Sequence, residues 1–136
     1  YMARKTARQV AMQLIYQYEL GGEGVNSTIE ETMDKPELNA DDLAYIQAMV
    51  DGTMDKEEEL EEMIGRFAQG WSVERISKVD LAILRLALYE MLYREDIPEG
   101  VSINEAIELA HTFSTPEAAS FINGILGSVS RAPKEG

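Results

Sequence analysis

The first eighteen residues carry three cations, Arg4, Lys5 and Arg8, and no acid. On a helix that turns by about 100° per residue, these cations and Tyr16 fall on one arc beside the apolar face. Arginine and lysine contact phosphates, and aromatic rings stack on unpaired bases. The arc therefore carries the groups that binding to single-stranded RNA would use, although by itself it is a weak signal. Three cations at a helix start are also ordinary on protein surfaces, and Tyr16 can instead belong to the core.

A second polar and aromatic group lies late in the chain, in the segment Ser120 to Gly124. Phe121 and Asn123 flank the apolar stripe of a predicted helix, and Asn-Gly inside a helix lowers its stability without improving packing. Asparagine can hydrogen-bond base edges, and phenylalanine can stack on them. An equally good interpretation is that Phe121 packs in the core and Gly124 permits close helix contact.

The sequence offers few groups for catalysis or metal binding. His111 is the only histidine and cysteine is absent, so one chain cannot form a His-based triad, a thiolate nucleophile or a multi-His site. We interpret His111 as a solvent-facing helical residue. The acids are spread over helical surfaces rather than paired in an apolar pocket, as acid–base catalysis usually requires. We therefore predict a protein that is not an enzyme and that holds no cofactor or metal.

The formal net charge of −13 is unevenly distributed. An acidic block at residues 55–62 stands apart from the cationic start, which allows a local basic site on an acidic protein. The net charge itself opposes nonspecific binding to nucleic acid or to anionic membranes. The sequence contains no recognisable signal peptide or membrane span, and a lack of cysteine suits a cytoplasmic protein.

Residues 79–93 form the stretch around which the rest is expected to pack. Only Asp80, Arg85 and Glu90 interrupt a run of apolar residues, and these three do not share a helical face. A helix that is apolar almost all round belongs in the middle of a bundle. A chain of 136 residues is long enough for one domain with a real core.

Helical periodicity and capping signals divide the chain into helices, with no competing β alternation. Helix starts are predicted by the capping patterns at 77–80 and 102–105 and by Thr115 before Pro116. Gly52 is a candidate bend inside a long helix. The predicted helical segments are 3–20, about 26–33, 41 or 42 to about 67, a short turn at 72–76, 77–93, 102–113 and 116–131. We predict an all-α fold of about seven helices. It forms a single domain over 1–136, with sub-bundles at about 1–70 and 71–131.

Three segments resemble the NusB family of bacterial transcription antitermination factors. They are ARKTARQVAMQLIYQYEL, KVDLAILRLALYEMLYREDIP and VSINEAIELAHTFSTPEAASFINGIL. Within them, RLALYE, INEAIELA and FINGIL are the most specific parts. The similarity runs over nearly the whole chain in the same order, whereas residues 21–75 match only in helical pattern and length.

The resemblance implies two three-helix sub-bundles and a function in transcription. NusB-like proteins bind boxA, a single-stranded RNA element of rRNA leaders, together with NusE, which is also a small-subunit ribosomal protein. The complex joins RNA polymerase with NusA and NusG and suppresses termination. Position by position, the resemblance implies an RNA-binding set of Arg4, Lys5, Arg8, Tyr16, Glu117, Phe121 and Asn123. It also implies that Asp80 and Arg85 lie near the RNA and NusE surfaces, although structural ion pairs explain these two at least as well.

The chain departs from the family where Thr6 interrupts the basic arm and where Ala119 and Ser120 replace frequent His and Lys. With about three phosphates contacted, the slope of log affinity against log salt should be roughly −2. We expect weak RNA binding alone and stronger binding with NusE. Two alternatives remain open. One is the RNA-recognition module of an rRNA methyltransferase, although no methyl-donor domain follows before Gly136. The other is a homodimeric helical scaffold that covers its RNA face.

Overall fold

The computed structural model describes residues 2–21 and 38–133, without the side chains of Met2 and Ala3. These ranges contain six α-helices and one 3-10 turn, and no strand. The elements are α1 (Met2–Glu19), α2 (Ala40–Asp55), α3 (Glu57–Phe67), the 3-10 turn (Val73–Arg75), α4 (Lys78–Tyr93), α5 (Glu99–Phe113) and α6 (Pro116–Arg131). The all-α prediction is therefore confirmed. The predicted short helix at about 26–33 lies outside the described residues.

Helix α4 is the centre of the fold, as its sequence predicts. Every residue from Leu81 to Leu88 is buried, and α4 packs against each of the other five described helices. The helix begins where the Ser77 hydroxyl accepts a hydrogen bond from the Asp80 backbone N–H at 3.2 Å. Burial of its large aliphatic side chains contributes roughly 1.5–3 kcal/mol each to the folded state. The helix therefore holds the elements before it and after it in one arrangement.

The predicted long helix from residue 41 or 42 to about 67 is wrong, because the structure has two helices that meet at Lys56. The first of them, α2, is capped by Asn39 rather than by Asp41. Asn39 Oδ1 accepts from the Asp42 N–H at 2.8 Å, and Asp42 Oδ2 accepts from the Asn39 N–H at 3.2 Å. Gly52 does not mark the break. It lies where the Tyr89 ring crosses α2, and any Cβ there would overlap that ring.

The predicted start of the next helix at Ser102 is also wrong. Helix α5 begins at Glu99, with Pro98 as the residue that precedes it. Proline fixes φ near −65° and lacks an N–H, which suits a helix start. Ser102 consequently lies inside α5, where it is only 2% exposed. Its hydroxyl is directed at the core and does not cap the helix.

The start of α6 and the end of α1 agree with the boundaries predicted from the sequence. Thr115 Oγ1 accepts from the Ala118 N–H at 3.0 Å, and Pro116 occupies the first turn of α6. Gly21, which follows the end of α1, has a φ of +127°, a conformation that favours glycine. Helix α1 packs on α2 and α4, while α5 packs on α4 and α6. No helix within the described ranges combines the length and the apolar content needed to cross a membrane.

Candidate nucleic-acid interface

The cationic start of α1 divides into an exposed part and a buried part. Lys5 is exposed and reaches α5, where Glu108 accepts a hydrogen bond from its ammonium group and Glu105 Oε1 lies 3.3 Å from Nζ. These hydrogen bonds, to Glu108 first and then to Glu105, raise the pKa of Lys5 above its ordinary value. Lys5 is therefore cationic at neutral pH, but two carboxylates already surround it.

Arg4 lies over an aromatic ring and not in open solvent. Its guanidinium carbon is 4.4 Å from the centroid of the Tyr45 ring, which is a cation–π distance. The guanidinium carbons of Arg8 and Arg94 lie 5.7 and 5.8 Å from the same centroid. Arg94 also makes two hydrogen bonds of 2.9 Å to Asp96, and they hold the pKa of that carboxyl below its usual range. Three guanidinium groups thus converge on Tyr45.

A polar cavity of about 330 Å³ opens beside these groups. Arg4 contributes a partly exposed cation to its wall, and Arg8 contributes a buried one. The N-terminal end of α2 supplies two acidic residues and Asp96 a third, so the cavity carries both signs of charge. Its lining residues are Arg4, Arg8, Asn39, Asp41, Asp42, Asp96 and Ile97.

Arg8 differs from the exposed position that the sequence predicts for it. It is 2% exposed, and its Nε and Nη2 atoms donate to Glu90 on α4 at 2.9 and 3.3 Å. Burial is the largest single effect and lowers the Arg8 pKa, but the charges of Glu90 and other nearby acidic groups, together with hydrogen bonding to Glu90, outweigh it and raise the Arg8 pKa. Its third nitrogen, Nη1, has no hydrogen-bond partner within the described ranges. In this conformation Arg8 anchors α1 to the core and presents no exposed surface for a phosphate.

Glu90 is the acceptor at which four helices meet. Besides Arg8 of α1, it accepts a hydrogen bond from the Tyr45 hydroxyl of α2 and one of 2.8 Å from Ser102 Oγ of α5. Glu90 is 1% exposed. Burial first, and then the charge of Glu90, raise the pKa of Tyr45 far above its ordinary value. Because these donors surround the carboxylate, a buried charge is tolerated in the centre of the molecule.

Tyr16 is partly buried, and Asp80 and Arg85 are buried, so all three have contacts inside the protein. Tyr16 packs against the core. The Asp80 side chain lies in the first turn of α4, where the helix dipole favours a carboxylate, and one of its oxygens has no hydrogen-bond partner in the described part of the chain. Arg85 Nε lies 2.6 Å from Glu19 Oε1, a close ion pair without hydrogen-bond alignment. Arg85 also lies 3.5 Å from Glu57, so it ties α1 and α3 to α4.

The predicted residues of α6 form a separate surface. Phe121 is partly buried and meets the Trp71 ring edge-on, with centroids 6.0 Å apart. Glu117 and Asn123 are exposed. Trp71 is 53% exposed, so Trp71 and Phe121 provide an accessible aromatic surface beside α6, the helix that carries Asn123. Sequence reasoning missed Trp71, although a lone tryptophan after a glycine is a visible signal.

Helix α5 is the element that connects the two surfaces. It contacts Lys5 through Glu105 and Glu108, and it packs on α6. Among the described side chains, no hydrogen bond, ion pair or ring contact joins Lys5 directly to Phe121. The structure therefore places the cationic and aromatic surfaces on elements that flank α5.

No group of three or more His, Asp or Glu side chains in the described ranges forms a candidate metal site.

The fold and site are those of an all-helical protein in which one buried helix supports a cationic first helix and the aromatic pair Trp71 and Phe121. The model of the NusB family matches residues 5–131 of this chain. The chain therefore belongs to the NusB family, and the resemblance seen in the sequence is confirmed.

Individual relatives agree with the family match over nearly the whole chain. The transcription antitermination protein NusB of Acetivibrio thermocellus is 50% identical over 128 residues, which cover 94% of this chain and 88% of that protein. The structure of T. maritima NusB has a TM-score of 0.85 at 30% identity and covers 94% of this chain and 90% of that chain. A chain in the crystal structure of antitermination factors NusB and NusE in complex with dsRNA has a TM-score of 0.84 at 26% identity, covering 98% and 99%.

Proposed function

We propose that this protein is a transcription antitermination factor that binds single-stranded boxA RNA of rRNA leaders together with NusE. In this proposal it acts in the cytoplasm, within an RNA polymerase complex that includes NusA and NusG. Family membership supports the general role, because the curated relatives are named transcription antitermination proteins. The boxA sequence and the larger assembly are the finer parts of the proposal.

The observation that carries the proposal is the similarity to a structure that contains NusB, NusE and RNA. That chain covers 98% of this one at a TM-score of 0.84. The RNA named there is double-stranded, whereas the surface described above has features suited to unpaired bases. Trp71 and Phe121 offer aromatic faces, and the exposed Asn123 offers an amide for base edges.

The residues of the proposed interface take different roles. Lys5 and the partly exposed Arg4 would contact phosphates, while Tyr16 and Phe121 would border the bases. Arg8 would hold α1 in place through Glu90, because a direct phosphate contact would require it to leave a buried ion pair. The proposed interface as a whole comprises Arg4, Lys5, Tyr16, Glu117, Phe121 and Asn123, with Arg8 beneath it. Asp80 and Arg85 remain proposed for the partner surface.

The burial of Arg8 changes the expected salt dependence. If two phosphates are contacted instead of three, the slope of log affinity against log salt becomes roughly −1.4, from the single-strand factor of about 0.7 per phosphate. So shallow a slope corresponds to weak electrostatic binding. A partner that adds its own contacts to the same RNA would raise the affinity, and we propose NusE for this role.

A fluorescence anisotropy titration tests the proposed function. Labelled boxA RNA is titrated with the protein in the presence and absence of NusE. The same bases in scrambled order and a double-stranded RNA serve as comparison ligands. The expected result is preferential binding of single-stranded boxA, which NusE strengthens. Equal affinity for the scrambled RNA with NusE present would contradict the proposal.

A pair of double variants locates the surface. Arg4→Gln with Lys5→Gln removes the two accessible cations of α1 and should weaken boxA binding. Arg66→Gln with Arg131→Gln removes the same charge from two exposed residues on α3 and α6 and should leave it nearly unchanged. Equal losses in the two double variants would mean that total charge, and not the α1 surface, controls binding.

A further inference from the structure

The two carboxylates around Lys5 have no evident role in an RNA interface. Lys5 Nζ donates to Glu108 and lies 3.3 Å from Glu105 Oε1. The other residues around this small surface depression are neutral, namely Gln9, Leu109 and Thr112. One cation and two anions give the patch a local charge of −1, although it lies where the proposed function needs a cation.

We propose that Glu105 and Glu108 act as an internal competitor for the RNA phosphate at Lys5 and thereby set the affinity of the interface. This inference rests on the proposed RNA-binding function. An ammonium group has three N–H donors in a tetrahedral arrangement, and here two carboxylate oxygens, one from Glu108 and one from Glu105, lie close to Nζ. A phosphate oxygen would have to replace a carboxylate as the acceptor, or would sit beside it with like charge.

Exposure indicates which carboxylate is displaced. The Glu108 side chain is 63% exposed, whereas that of Glu105 is 16% exposed. Glu108 can therefore turn into solvent and regain its hydration when a phosphate arrives. Glu105 is held at the surface of α5 and stays near Lys5. Glu108 is the residue whose charge determines how readily Lys5 becomes available.

The opposite role for Glu108 is that it orients Lys5 for RNA. These two roles predict opposite effects of Glu108→Gln, which keeps the size of the side chain and removes its charge. Competition predicts that RNA affinity rises by about two- to fivefold, because the free energy of an exposed ion pair corresponds to a change in affinity of this size. Orientation predicts weaker binding. The gain expected from competition should shrink as salt concentration rises, because salt screens exposed charges.

The experiment is the anisotropy titration with boxA RNA and NusE, using the wild type and four variants. Glu58→Gln at an exposed position of α3 is the matched control, because it changes the net charge equally but lies on another helix. Lys5→Gln and the double variant Lys5→Gln with Glu108→Gln complete the cycle. We expect Glu108→Gln to tighten binding more than Glu58→Gln does. In the Lys5→Gln background, the extra gain should disappear.

The outcomes separate this inference from the proposed function. Weaker binding by Glu108→Gln, or a gain equal to that of Glu58→Gln, overturns the competition while boxA binding by the wild type stands. A gain that persists without Lys5 overturns it as well. If neither the wild type nor any variant prefers boxA RNA over the scrambled RNA with NusE present, the proposed function fails and the competition fails with it. Circular dichroism of each variant verifies that these exposed substitutions leave the fold intact.

Discussion

Two cations of α1 lie within one turn of each other and form ion pairs of opposite character. Lys5 reaches Glu105 and Glu108 at the surface, whereas Arg8 reaches Glu90 in the interior, where it is 2% exposed. At the surface, water competes for both partners and the pair can open for a ligand. In the interior, each charge depends on the other, because no solvent replaces a lost partner. The same residue chemistry therefore provides a binding group in one place and a structural anchor in the other.

The largest expected effect is the loss of the buried pair. Arg8→Ala would leave the Glu90 carboxylate charged, buried and short of donors, and should lower the free energy of unfolding by about 3–5 kcal/mol. Urea denaturation followed by circular dichroism measures this change. Arg66→Ala serves as the control, because its exposed i,i+4 pair with Glu62 should contribute at most about 0.5 kcal/mol. Equal costs for the two variants would remove the distinction between the buried and exposed pairs.

A smaller effect is expected from the loss of another donor to the same carboxylate. Ser102→Ala removes one hydroxyl donor to Glu90 and should lower the free energy of unfolding by about 1.5–3 kcal/mol, the range for hydrogen bonds to charged groups. The control is Ser120→Ala at an exposed position of α6, because it makes the same change from serine to alanine within a helix. Equal denaturation midpoints for the two variants would mean that Glu90 does not depend on Ser102.

The exposed pair should affect binding and not stability. Lys5→Ala should leave the urea midpoint unchanged, because its ion pairs are open to solvent. The same variant should reduce the slope of log RNA affinity against log salt by about 0.7, the contribution of one phosphate on a single strand. A destabilised Lys5→Ala protein with an unchanged salt slope would reverse the two roles assigned here.

The smallest effect concerns a tyrosine that donates to a glutamate at the surface. The hydrogen bond to Glu59 raises the pKa of Tyr93 to about 12, against an ordinary value near 10. Because the folded state holds this proton more tightly than the unfolded state, the stabilisation is complete below about pH 10. It is lost as pH rises through 12. Urea midpoints between pH 9 and 12 should fall slightly less steeply in Tyr93→Phe than in wild type, and parallel curves would refute the assignment.

Periodicity and caps were enough to predict the architecture, because they depend on neighbouring residues. The apolar run at 79–93 identified the buried central helix, and Thr115 with Pro116 identified the start of α6. The pattern at Ser102 misled because Pro98 provides an earlier start, which turns Ser102 inward. The break at Lys56 has no signal in the sequence. Gly52, which resembles such a signal, is instead a glycine because the Tyr89 ring of another helix occupies the space of a side chain.

The site was harder to predict because burial of a charge depends on distant partners. Helical spacing placed Arg8 beside Arg4 and Lys5, but it could not indicate that Glu90, 82 residues later, would take Arg8 into the core. A clue was present: an acid on a helix that is apolar all round needs a buried donor. The same limit applies to Glu108, whose proximity to Lys5 depends on how α5 packs.

The position of Glu90 affects how the molecule opens locally. One carboxylate serves Arg8, Tyr45 and Ser102, so three helices share an acceptor on a fourth. Detaching any single helix would strand part of that charge in a water-poor interior, which penalises piecemeal opening. Amide protons near these three residues should therefore exchange with solvent together and at the slow rate of whole-molecule unfolding. The N-terminal helix, which ordinarily would fray, is thereby pinned within two turns of its start.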